Sequence, residues 1–136
     1  MPNIFLISDT HFGHENMYTF VEEDGVRTRF EFKDATEADH RMIENWNKVV
    51  QPTDKVYHLG DVFINRKARF ILSALNGKKR LIKGNHDIFA LKDYVDYFDD
   101  IRATHPLEDF ILSHIPLHTS QVGEGRRFKY NVHGHL

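Results

Sequence analysis

Lys79-Arg80-Leu81-Ile82-Lys83-Gly84-Asn85-His86-Asp87 decides the fold. An apolar-basic run of strand length ends in a polar turn. Asn85, His86 and Asp87 carry an amide oxygen, an imidazole and a carboxylate, groups that bind metal or move a proton. Gly84 is expected to let the backbone turn sharply at a strand end, where a side chain would obstruct.

Working outward, four further polar clusters each follow a short apolar run. Ile4–Ile7 reads as a buried strand and leads into Ser8-Asp9-Thr10-His11-Phe12-Gly13-His14. Lys55–Leu59 leads into Gly60-Asp61, Phe110–Ser113 into His114-Ile115-Pro116, and Tyr130–His133 into Gly134-His135-Leu136. Between them, Thr36 opens a helix with Asp39 placed for a capping box. Met42, Ile43, Trp46, Val49 and Val50 recur at helical spacing, and Gln51-Pro52 ends the run. Trp46 sits on that apolar stripe and reads as core. Arg66–Leu75 reads as a second helix stopped by Asn76-Gly77. Ile88–Phe98 is expected to be helical in part, Ile101–Ala103 a short strand, and 117–129 a polar loop. Asp24-Gly25 marks a turn, and Arg27–Phe32 reads as an extended edge or a surface loop. The early order β, α, β, α, β argues for an α/β layer architecture, with a second, more antiparallel sheet after it.

The chain has 136 residues, enough for one domain over 1–136 and too few for two cores. Forty per cent hydrophobic content and eleven Phe support a globular core. There is no cysteine, so disulfides, thiolate metal sites and cysteine nucleophiles are excluded. A reducing compartment, the cytoplasm, is the expected location. Met1–Ile7 lacks a basic lead-in and meets Asp9 at once, so neither a signal peptide nor a membrane span is expected. Net charge is −2, and no basic, aromatic-interleaved face is visible, so tight nucleic-acid binding is not expected. Oligomeric state is left open.

In open α/β sheets functional groups collect beyond the carboxyl ends of strands, so turns distant in sequence converge there. Collected, the turns offer Asp9, His11, Asp61, Asn85, His86, His114 and His135. An isolated Asp-x-His is common; the shared placement of all five clusters is what points to a metal site. Carboxylate, imidazole and amide together suit Mn, Fe, Zn, Co or Ni better than Ca or Mg.

From Ile4 to His135 the set resembles the calcineurin-like metallophosphoesterases, whose pattern is Asp-x-His, Gly-Asp, Gly-Asn-His-Asp or -Glu, a lone His, and Gly-His-x-His. The Ser8–His14 opening looks like a small bacterial or phage branch. The resemblance implies an α/β/β/α four-layer sandwich, its C-terminal strands expected to be incomplete, around two divalent metal ions, manganese foremost. It implies Asp9 and His11 on the first metal, Asp61 bridging, and Asn85, His114 and His135 on the second. His86 would sit beside the substrate phosphoryl group, and Asp87 could orient it through its other ring nitrogen. A bridging carboxylate holds two cations about 3.5–4 Å apart, and a water between them becomes the nucleophile. His86 would stabilise developing charge or protonate the departing alkoxide. The implied substrate is a small phosphomonoester or phosphodiester, including nucleotides. The alternative is a noncatalytic metal-binding or protein-interaction module on the same fold.

The family motif is Gly-His-x-His, whereas this chain reads Gly134-His135-Leu136. The favoured expectation is a natural chain that continues past Leu136; the other is a first metal held by Asp9, His11, Asp61 and water. Among the remaining histidines, His14 could touch substrate, support His11 or lie on the surface. His58 reads as packed and hydrogen-bonded. His118 and His133 flank ligand positions, His40 reads as solvated, and His105 lies in a loop. Arg126, Arg127 and Lys129 read as a solvated loop, with a substrate phosphate as the alternative partner.

Overall fold

The structure, a computed structural model, describes residues 2–13 and 35–135. Strands β1 (Ile4–Ile7), β2 (Lys55–His58), β3 (Lys78–Ile82) and β4 (Asp100–Arg102) form one sheet in chain order. Every pairing is parallel: Ile7 lies opposite His58, His58 opposite Leu81, and Ile82 opposite Arg102. All four carboxyl ends therefore share one edge, and the turns carrying polar residues leave from that edge. Parallel neighbours need a crossover. Helix α1 (Ala35–Val49) precedes β2, the 3-10 segment Arg66–Ala74 precedes β3, and α2 (Lys92–Val95) precedes β4.

Side-chain alternation divides this sheet into two faces. Phe5, Ile7, Val56, Leu81 and Ile101 join Trp46, Val50, Leu72 and Leu75 in a core on the helix side. On the other face Tyr57, Leu59 and Ile82 pack against Leu107, Phe110, Leu112 and Val132. Those last residues belong to the second sheet, ordered β5 (His105–Leu107), β6 (Phe110–Ser113), β7 (Tyr130–His133). The layers are helices, sheet, sheet; among the described residues the one helical segment after β6 is the 3-10 turn Thr119–Gln121.

Several expectations change in detail. Arg66–Ala74 is a 3-10 segment, not an α-helix, capped by Asn65, whose side chain accepts from the Lys67 amide. Within Ile88–Phe98 only Lys92–Val95 is helical. The second sheet is mixed: β5 and β6 are antiparallel, but β6 and β7 are parallel, with residues 114–129 as their crossover. β5 was not expected, because it contains Pro106; it survives as an edge strand, where a missing amide donor is tolerated. Asp39, read as closing a capping box, is buried and accepts from the Gly13 amide through Oδ2. His14, the Asp24-Gly25 turn, the Arg27–Phe32 stretch and Leu136 lie outside the described residues. Among those described, no helix is long and apolar enough to cross a membrane.

Candidate metal centre

The site begins where β1 and β2 stop. Their parallel pairing runs on past the strand ends: Asp9 N–H donates to Gly60 O at 2.9 Å, His11 to Asp61 O at 3.1 Å, and Phe12 to Val62 O at 2.9 Å. The Asp9-x-His11 loop is thereby zipped to the Gly60-Asp61 turn. Beneath the zipper the Gly60 amide donates to His58 Nδ1, so the other ring nitrogen carries the hydrogen. Nε2–H then donates to Thr10 Oγ1 at 3.0 Å, and the Thr10 hydroxyl donates to Val62 O at 2.7 Å. Burial holds His58 neutral, with its pKa lowered from 6.5 to about 3 despite the raising influence of Asp9 and Asp61. His58 is thus packed and hydrogen-bonded, as its place inside a strand suggests. Thr10 escapes local reading because its partner lies 48 residues away.

Asp61 is the centre. Its side chain has no exposed surface, and its Oδ2 lies 2.7 Å from His86 Nδ1, 3.3 Å from His11 Nε2 and 3.4 Å from His114 Nε2. Its Oδ1 accepts the His86 amide at 2.8 Å. Burial pushes the Asp61 carboxyl up; the His86 side-chain and backbone hydrogen bonds and the nearby His114 outweigh this and hold it below the ordinary carboxylate range.

Asp87 corrects the expectation that it steadies the His86 ring. Its Oδ2 accepts from the amides of Asp61 at 2.8 Å and Gly84 at 2.7 Å, and its Oδ1 accepts from Val62 at 2.9 Å. Both oxygens serve backbone donors, and the ring is held by Asp61 instead. Asp87 is buried, which raises its pKa against those three hydrogen bonds. It buckles the β3 turn to the β2 turn.

Gly84 stands where a side chain would obstruct, as expected. Positive φ is found at Gly60 (106°), not at Gly84. What demands glycine at 84 is close approach: a Cβ there would overlap Asp61 Oδ1 and lie 2.7 Å from the Asp61 amide and 2.9 Å from His114 Nδ1. Gly60 and Gly84 pack backbone to backbone beside the His114 ring. The left-handed strain falls on the donors themselves. Asp9, His11, Asp61 and His135 have φ of 57°, 45°, 59° and 25°; Glu108 is the remaining non-glycine case among the described residues. Such residues cost on the order of 1 kcal/mol or more each and persist where surrounding contacts over-determine them.

The second sheet brings His114 after β6 and His135 after β7. His114 Nδ1–H donates to Leu59 O at 2.7 Å, across the seam between the sheets. In the neutral ring Nε2 then carries a lone pair. It faces Asn85 Oδ1 at 2.7 Å and Asp61 Oδ2 at 3.4 Å, two further lone-pair atoms. With the ring neutral, three lone-pair atoms converge there, and they are the N and O donor types that fit a transition-metal cation.

Asp9, Asp61, His114 and His135 present ligand atoms within 4.8 Å of one another, as do His11, Asp61 and His86; Asp61 belongs to both groups. The grouping differs from the implied one. Asp9 lies with the second-sheet histidines because its Oδ2 accepts from the His135 amide at 3.0 Å and from the Ser8 hydroxyl. His11 Nε2 is 3.8 Å from Asp9 Oδ1. His86 joins His11 through its hydrogen bond to Asp61. Arg126, Arg127 and Lys129 stay exposed; Arg127 lies over the Phe128 ring, 4.8 Å from its centroid. His118 is exposed and bonds Ser120, and His133 Nδ1–H donates to Gly134 O at 2.7 Å.

A family model described as calcineurin-like phosphoesterase matches residues 2–136. An uncharacterized protein, MJ1445, of Methanocaldococcus jannaschii is 41% identical over 96 residues, which cover 68% of this chain and 51% of that protein. The Gene 66 protein of Mycobacterium phage L5 is 33% identical over 92 residues, 64% of this chain and 41% of that protein. The chain thus spans about half or less of the length of these curated relatives. The crystal structure of AQ665, a protein of unknown function from Aquifex aeolicus, superposes with a TM-score of 0.68 at 34% identity, covering 85% of this chain and 62% of that one. With its mixed α/β architecture, its cluster of candidate metal ligands and a match along its length, the chain belongs to the calcineurin-like phosphoesterases.

Proposed function

We propose that the chain is a metal-dependent phosphoesterase that hydrolyses a small phosphomonoester or phosphodiester, nucleotides included, with two divalent cations, manganese first, in a cytoplasmic setting. The observation that carries this is the position of Asp61, a fully buried carboxylate shared by both donor groups. Bound there, divalent cations would supply Lewis-acid polarisation of the phosphoryl group and activation of water. Asp9, Asp61, Asn85, His114 and His135 would hold one, and His11 with Asp61 the other. His86 donates Nδ1–H to Asp61, which leaves Nε2 to exchange a proton with the departing oxygen. Its side chain is 49% exposed, open enough to meet substrate. Asp87 and His58 hold the backbone on which the donors sit.

The test is a screen of metals against aryl phosphates, nucleotides and diesters. Turnover should need added metal, and removing a proton-transfer group such as His86 should cost roughly 100-fold or more. Unchanged turnover in Asp61→Ala would overturn the proposal.

A further inference from the structure

A cleft of about 640 Å³ opens beside the donor cluster at the carboxyl ends of β3 and β4. It is lined by Lys83, Asn85, Ile88, Ile101, Arg102 and Ala103. Asn85 is common to the cleft and the cluster, because its Oδ1 meets His114 Nε2. Both basic residues border the cleft where β3 and β4 end, their main chains joined there by Lys83 N–H donating to Arg102 O at 2.9 Å. Lys83 is exposed, and among the described residues no carboxylate pairs with its ammonium. Arg102 meets Asp100 through Nε at 2.7 Å, and its side chain is 51% exposed, so its terminal nitrogens remain available. Asp87 also borders the cleft, but its oxygens are spent on backbone amides. The other wall is apolar, and Ile88 stands at it 76% exposed. Two cations against an apolar wall, one ligand away from the cluster, fit an organic group that carries its own anion.

We propose that this cleft binds a second phosphate, so that the preferred substrate is a small organic phosphoester bearing another phosphate on its leaving group, received by Lys83 and Arg102 with its carbon frame on Ile88 and Ile101. The inference rests on the phosphoesterase proposal for the scissile ester, while the selectivity for charge belongs to the cleft alone.

The probes are a nucleoside 5′-monophosphate and the matching 3′,5′-bisphosphate. Each is titrated into zinc-loaded, isotope-labelled protein by NMR and assayed for hydrolysis with manganese. The bisphosphate should bind roughly tenfold tighter, as one charge-assisted hydrogen bond would give. It should shift the amides of Lys83 and of residues 101–103. The Lys83→Ala/Arg102→Ala double variant should lose the bisphosphate-to-monophosphate ratio in both affinity and kcat/KM, and Lys83→Arg should keep it. Equal affinity of the two probes in the natural chain, or a ratio that survives the double variant, overturns the proposal. Hydrolysis with no preference rejects the cleft and leaves the phosphoesterase standing; a preference lost in the double variant without hydrolysis of any ester does the reverse.

Discussion

At residue scale the site is governed by close approach more than by ligand type. Gly84→Ala adds one carbon, yet that carbon would meet the backbone of Asp61 and the ring of His114, neither of which is a flexible chain end. Overpacking of this kind costs about 1–3 kcal/mol, so the variant should unfold at lower urea and bind metal more weakly. Gly125→Ala, with nothing within 4 Å but a φ of 78°, should cost only the backbone strain and leave metal binding unchanged. Isothermal titration with manganese separates the two. His58 makes a second prediction. Its folded pKa of about 3 lies below the ordinary 6.5, so on acidification the unfolded chain takes up this proton first. The associated stability is therefore complete above about pH 6.5 and falls as pH drops toward 3. At about 1.4 kcal/mol per pH unit, roughly 2 kcal/mol should be lost between pH 6.5 and 5 in urea melts with chelator present. His58→Gln should show a shallower slope. The donor residues are legible in the sequence because each follows a short apolar run. Thr10–His58 and Gly60–Gly84 are not, since contacts between neighbouring strands leave no mark on local spacing.

At the scale of elements, α1 is held to the β3 entry by more than its apolar stripe. Trp46 Nε1–H donates to Asn76 O at 2.8 Å, Asn47 Oδ1 accepts the Asn76 amide, and Asn76 Nδ2 donates to Val50 O. Trp46→Phe keeps an aromatic ring but strands a partly buried carbonyl. It should cost about 1–3 kcal/mol in urea melts, and an unchanged midpoint would count against the bond. Periodicity reveals α1 because fifteen residues hold a regular face. It misjudges Arg66–Ala74 because Leu72 and Leu75, three apart, suit either 3.0 or 3.6 residues per turn over so short a run. β4 is placed one residue late, at Ile101–Ala103, because its three residues contain only one apolar side chain. β5 is hidden by Pro106, whose tolerance depends on an edge position that no local pattern announces.

At the scale of the molecule, the donors come from both sheets. Asp9, His11, Asp61 and Asn85 leave the first; His114 and His135 leave the second. The α/β layering and the convergence at strand ends follow from the order of apolar runs. How far apart the sheets stand does not, because that distance is set by side chains packed in the seam. Leu112 is fully buried there with Tyr57, Leu59 and Ile82, and the next residue but one is His114. Leu72 is equally buried, in the helix-side core away from the seam. Leu112→Ala and Leu72→Ala should each cost about 2–5 kcal/mol without metal. Bound metal adds RT ln(1 + [L]/Kd), about 2.7 kcal/mol at a hundredfold excess over Kd. If the seam sets the distance between Asp61 and His114, that increment should stay whole in Leu72→Ala and shrink in Leu112→Ala, whose second sheet is free to shift toward the gap. Urea melts of the three proteins, with and without manganese, read it directly. Equal increments in both variants would mean that the hydrogen bond from His114 to Leu59 and the turns around Asp61 hold the site unaided, and that the seam serves stability alone.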